Sequence, residues 1–167
     1  MAIDVETLSV GELENLIQNH RRKRATDALL YVDALRELEK RKGKGLDFDK
    51  SLSIILEAAK GRRFLSYKEL ADASGADWGQ VHYAIGEHLW RLVEYADRKG
   101  WPLLSSIVVN KPNVTTGKME PETLKGKGFI AAARLLEKRI IDEEGFLREE
   151  QERVFAWAER QQAATLL

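Results

Sequence analysis

Residues Leu65 to Gly86 read LSYKELADASGADWGQVHYAIG, and the fold turns on where this stretch bends. Ser66 caps a short helix whose inward positions are Leu70 and Ala71, and Gly75 ends it. Asp77 then stands three residues before Gln80, a second capping-type spacing. From there Trp78, Val81, Ile85, Leu89, Leu92, Val93 and Ala96 recur at helical intervals toward Gly100. The stretch predicts two helices joined by a turn at Ser74 to Asp77, a helix-turn-helix pattern.

Working outward toward the N-terminus, Ser9 and Glu12 have capping-box spacing, and Leu13, Leu16 and Ile17 follow on one helical face. This predicts a first helix over Val10 to His20. Thr26 and Asp27 offer a new N-cap, and Leu29, Val32, Leu35 and Leu38 stripe a second helix that ends near Gly43. The resulting hairpin has one apolar face, which either packs on its own chain or pairs residues 10–42 of two copies as a homodimer. The segment KGKGLDFD reads as a linker. Leu52, Ile54, Ile55, Leu56 and Ala59 then mark a third helix, closed by Gly61.

Beyond Trp101 and Pro102 the texture changes. LLSSIVVNK is β-branched and apolar and predicts a strand from Leu104 to Asn110. A Pro-, Gly- and Thr-rich loop over 111–128 leads to two closing helices, Phe129 to Leu136 and Phe146 to Ala158. The expected fold class is mainly α. A winged-helix-like domain over 46–160, with one short β element, follows an N-terminal helical hairpin over 1–45 and precedes a flexible tail over 161–167.

Composition narrows the function classes. The 167 residues are 44% hydrophobic and 32% charged, ordinary for a helical globular chain. No apolar run approaches the roughly 20 residues of a membrane span, so no membrane partner is expected. The first residues, MAIDVETLS, have no basic-then-apolar pattern. Cysteine is absent. That excludes thiolate nucleophiles, disulfides and cysteine-ligated zinc, and it suits a cytoplasmic location. The 27 basic and 27 acidic side chains balance, but unevenly along the chain. HRRKR, RKGKG, KGRR and KGKG are basic clusters, and DEEGFLREEQE near the end is acidic.

The pattern FLSYKELADASG…AIG resembles the winged-helix part of DNA alkyltransferases and alkyltransferase-like proteins. Tyr67, Leu70, Ala71, Ala84, Ile85 and Gly86 carry the match. It implies helix-turn-helix geometry over about 25 residues, but not alkyl transfer. The family's Pro-Cys-His-Arg segment is missing, and Tyr83 stands where its arginine precedes Ala-Val-Gly. A broader similarity spans roughly Phe64 to Ala158. Pro102, Leu103, Leu104, Val108, Val109, Lys111, Gly128, Phe129, Arg153, Val154, Phe155 and Trp157 look like positions shared with small uncharacterised bacterial and phage proteins. That resemblance implies a shared fold and mobile-element or host-defence biology.

A helix-turn-helix directs attention to double-stranded DNA. The N-terminal residues of a recognition helix meet base edges in the major groove, where Gln80 can pair with adenine in a bidentate manner. His82 and Tyr83 are placed to contact phosphates or methyl groups. Arg62, Arg63 and Lys68 would hold the backbone, and Lys118, Lys125 and Lys127 would act as a wing. The alternative leaves Gln80, His82 and Tyr83 merely exposed while Trp78 and Val81 pack inward.

Catalysis has weaker support. His82 and His88 are six residues apart, about 600° around a helix, so they share no face and make a poor chelate. Asn110 stands where a strand nuclease would need an acid, and KGKG lacks the serine or threonine of a P-loop. No enzyme activity, metal or cofactor is therefore expected. The main rival to nucleic-acid binding is a protein-interaction or inhibitor role on the same fold. A continuous positive face around Gln80 and the 111–128 loop would favour nucleic acid. Exposed aromatic surface there, including Trp90 or Trp101, would favour protein.

Overall fold

The computed structural model describes residues 2–42, 45–124 and 128–166, with backbone alone from 162 onward. The chain is mainly helical. Helix α1 (Val10–Arg22) opens with a complete capping box. Ser9 Oγ accepts from the Glu12 N–H at 3.2 Å, and Glu12 accepts from the Ser9 N–H at 2.7 Å. Helix α2 (Leu29–Lys42) returns alongside it.

Thr26, expected to cap α2, is instead buried and donates its hydroxyl to the carbonyl of Glu94 at 3.2 Å. The hairpin is thus tied to a distant helix. Its apolar stripe is also spent at home. Leu13, Ile17, Val32, Leu35 and Leu38 are buried in one cluster with Ile55, Leu89, Leu92 and Trp157. Leu29, the first position of the expected stripe, stays 73% exposed.

The segment expected to be a linker does structural work. Leu46 and Phe48 are buried, and Asp47 caps helix α3 (Phe48–Lys60) by accepting from the Lys50 N–H at 2.8 Å. A Cβ on Gly45 would stand 2.9 Å from Ala76 Cα, so only glycine lets the chain pass there. Strand β1 (Leu65–Ser66) leads into helix α4 (Tyr67–Ala73), again through a capping box between Ser66 and Glu69. Gly75 turns the chain with φ of 80°.

The helix expected from Trp78 to Gly100 is broken. Helix α5 (Trp78–Val81) is one turn, residues 82–84 form a second bend, and helix α6 (Ile85–Arg98) starts afresh. Asp77 accepts from the Gly79 N–H at 3.0 Å, but Gln80 does not reciprocate. Asp77 is a simple N-cap rather than part of a box, and α5 is short.

The expected strand over 104–110 is mostly a 3-10 turn, Leu104–Ile107, followed by β2 (Val108–Val109). Strands β1 and β2 pair in parallel, Leu65 with Val108 and Ser66 with Val109. No antiparallel hairpin, the usual form of a wing, occurs among the described residues. Burial explains the difference. Leu104, Ser106, Ile107, Val108 and Val109 are all fully inside. Both faces of this segment are covered, so its residues do not alternate between core and solvent as in a half-exposed strand.

Helices α7 (Pro121–Leu124), α8 (Phe129–Leu135) and α9 (Glu143–Leu166) complete the chain. Phe129, Ile130, Ala133 and Leu147 form a smaller core with Val93, Leu103 and Leu124. Among the described residues no helix is long and apolar enough to cross a membrane.

Candidate functional site

Helix α5 places the three residues expected to read DNA at one corner. Val81 is 1% exposed and anchors the turn, while Gln80, His82 and Tyr83 face outward. The rings follow in series, Trp78 tilted against His82 at 5.9 Å and His82 edge-to-face with Tyr83 at 5.7 Å between centroids. The corner therefore presents an aromatic tip.

The cations expected to hold phosphates are differently placed. Arg62 has a left-handed φ of 50° and points at α9, where it pairs with Glu152 at 2.5 Å and Glu159 at 3.0 Å. Its guanidinium also lies over the Phe155 ring. The hydrogen bonds it donates to Glu152 and Glu159 hold the Arg62 pKa above its ordinary value. Arg63 pairs with Glu69 at 3.4 Å, and Lys68 with Asp72 at 2.6 Å. Lys118 is exposed, and Lys125 and Lys127 lie outside the described residues.

The loop carrying Lys118 is anchored rather than free to swing. Gln151 of α9 is buried, and its amide nitrogen donates to the carbonyls of Ser106 at 2.9 Å and Gly117 at 2.7 Å. Beside it, Glu150 accepts from the Leu103 N–H at 3.0 Å. Thr123 donates to Asn110 Oδ1 at 2.9 Å. Tyr67, which leans against this region, has its phenol pushed up to about 12 by burial.

Two clefts flank α6. One, of about 570 Å³, lies between α6 and α8. Leu89, Trp90, Val93, Met119, Phe129 and Leu135 make most of its wall, and Leu135 is 74% exposed. Gly86 opens it, since nothing lies within 4 Å of where a Cβ would stand. Trp90 is half-buried in this wall. Trp101 is a packing residue instead, between Tyr95 at 5.6 Å and Trp157 at 5.1 Å.

The second cleft, of about 550 Å³, lies between the hairpin and the other side of α6. Its floor holds a polar chain absent from the expectations. His88 Nδ1 is 2.6 Å from Glu39 Oε1, and His88 Nε2 is 2.7 Å from Ser51 Oγ. The connectivity is that of a serine–histidine–carboxylate triad. Ser51, however, is 0% exposed and does not line the cleft, so no carbonyl can reach its oxygen. The chain pins α2, α3 and α6 together.

A second buried group sits nearby. Glu94 takes Arg21 at 3.0 Å and the Tyr31 hydroxyl at 3.1 Å. Burial raises the Glu94 pKa despite Arg21, and it also raises that of Tyr31. For Arg21, burial is the largest effect and pulls downward, but Glu94, Tyr31 and Glu87 together outweigh it and leave its pKa raised.

The sequence signal for His88 was its place on the apolar stripe of α6, between Ile85 and Leu92. A polar residue on an inward face must find partners. Glu39 and Ser51 carried the same signal on α2 and α3. The apolar cleft had none, because its two walls come from segments far apart in the chain.

No protein family matches this chain, and neither does any curated protein or solved structure.

Proposed function

We propose that the protein is a non-catalytic interaction module whose α6–α8 cleft receives apolar side chains of a protein partner. The observation that carries this reading is a 570 Å³ cleft whose apolar wall runs from the buried Phe129 through the half-buried Trp90 and Met119 to the exposed Leu135. Covering one leucine-sized side chain contributes about 1.5–3 kcal/mol. Two or three such contacts suffice for a specific peptide. The charge arrangement supports the same reading. Arg62, Arg63 and Lys68 each already have a carboxylate partner, so phosphate would have to displace it.

Winged-helix-type DNA binding is the second reading. It is favoured by the joint outward placement of Gln80, His82 and Tyr83 next to a capped turn. In that reading the α4–turn–α5 unit sits on the groove.

One experiment separates the two. A random peptide library is selected against the wild-type protein, and the enriched peptides are then measured against Gly86→Leu and Leu135→Asp. Both substitutions alter the cleft without entering the core. A fluorescent random duplex is titrated in parallel at low salt. The interaction reading expects peptides with recurring apolar anchors that lose at least tenfold in affinity to both variants. It is overturned if no peptide is enriched. Salt-sensitive duplex binding that both variants retain would establish the DNA reading in its place.

A further inference from the structure

The polar cleft between the hairpin and α6 carries two unmet hydrogen-bonding groups on its floor. Glu39 is 3% exposed at its side chain, and all its partners crowd onto one oxygen. His88 Nδ1 stands at 2.6 Å and an Arg91 terminal nitrogen at 3.4 Å, both on Oε1. The other oxygen, Oε2, is buried without a hydrogen bond. The Arg91 Nε is in the same condition, with only a 3.9 Å approach to Glu87. An acceptor and a donor are thus left without partners on Glu39 and Arg91, two charged residues that both line the cleft.

Burying such atoms unsatisfied is costly, and native proteins rarely do it without a role. The lining is also balanced, with Glu14, Glu39 and Glu87 against Arg21, Lys42 and Arg91. A net cation or anion gains nothing from that balance. A ligand carrying both charges close together meets both open groups. Ile17, Leu38, Leu46 and Ala84 add an apolar strip to the same cleft. Its volume suits a small molecule.

We infer that this cleft is a binding site for a free aliphatic α-amino acid. Its ammonium donates to Glu39 Oε2, its carboxylate accepts from Arg91 Nε, and its side chain lies on Ile17, Leu38 and Leu46. The Arg21–Glu87 pair at 3.3 Å joins the hairpin to α6 across the cleft; it parts on entry, and that opening uncovers Glu39 Oε2 and Arg91 Nε, which are closed to solvent in the free protein. This site is separate from the α6–α8 cleft, so it stands or falls independently of the function proposed above.

The test is calorimetric titration of the full chain with L-leucine, L-leucinamide, 4-methylpentanoate and glycerol. Methyl resonances of Leu38 and Leu46 locate the binding. The expected result is saturable leucine binding that shifts those methyls. The two single-charge analogues should bind at least tenfold more weakly, and glycerol not at all. Glu39→Gln should remove binding, because its amide can fill the open position while its carbonyl still accepts from His88. Arg91→Lys keeps the charge but deletes Nε, and should weaken leucine at least tenfold. It carries the test if Glu39→Gln fails to fold. The site is overturned by the absence of leucine binding, which leaves solvent alone in the gap. It is overturned equally by analogues that bind as well as leucine, or by unchanged binding in a folded variant.

Discussion

His88 Nδ1 and Glu39 Oε1 stand 2.6 Å apart with both side chains no more than 3% exposed. The pair crosses from α6 to α2, and Ser51 extends it to α3. A buried carboxylate depends on such a partner far more than an exposed one does. Replacing His88 by Leu leaves the Glu39 carboxylate with only the longer Arg91 contact at 3.4 Å, and the expected cost is about 3 kcal/mol. Ser51→Ala removes only a neutral hydrogen bond and should cost about 1–2 kcal/mol. Denaturant unfolding of both variants gives the comparison. Equal losses would mean that Glu39 is satisfied in some other way.

Gln151 reaches two carbonyls that nothing else holds among the described contacts, those of Ser106 and Gly117. Gln151→Ala should therefore loosen the chain from Leu103 to Lys118 while leaving the hairpin intact. The expected stability loss is about 1–3 kcal/mol. Hydrogen exchange should speed up at 103–118 but not at 10–42. Uniform acceleration across the chain would contradict this local tie.

How much of this was legible in the residues depends on the range of the interaction. The caps at Ser9 and Ser66 are local hydrogen bonds, and both formed at the serines the sequence offered. Mainly helical structure followed from the apolar periodicity for the same reason. The parallel pairing of Leu65 with Val108 is not local, and no spacing within either segment encodes it. The break after Val81 was hidden because Trp78, Val81 and Ile85 keep helical spacing across it.

Among the site residues, exposure of Gln80, His82 and Tyr83 was readable from their place between apolar positions. The carboxylates facing Arg62 come from α9, some 90 residues downstream. Only the fold brings them together.

Glu94 links stability to pH. Burial raises its folded pKa above the ordinary 4.5. The folded state therefore binds the proton more tightly than the unfolded one. The contribution is fully present below the unfolded value and is lost as pH rises through the raised folded value. Glu94→Gln deletes this titration. The difference in unfolding free energy, wild type minus variant, should fall as pH rises from 4.5 to 8. A difference that rises with pH would show that Arg21 outweighs burial.

Gly117 combines a φ of 74° with a Cβ position 2.3 Å from the Phe64 ring. Gly117→Ala meets two separate penalties there. Left-handed backbone costs about 1 kcal/mol for alanine, and the ring must also move. Phe64→Leu opens the space but leaves the backbone unchanged. The double variant should therefore recover part of the loss, with a coupling of at least about 0.5 kcal/mol between the two sites. Full additivity in thermal unfolding would mean that the Phe64 ring swings away freely, so that backbone conformation alone reserves this position for glycine.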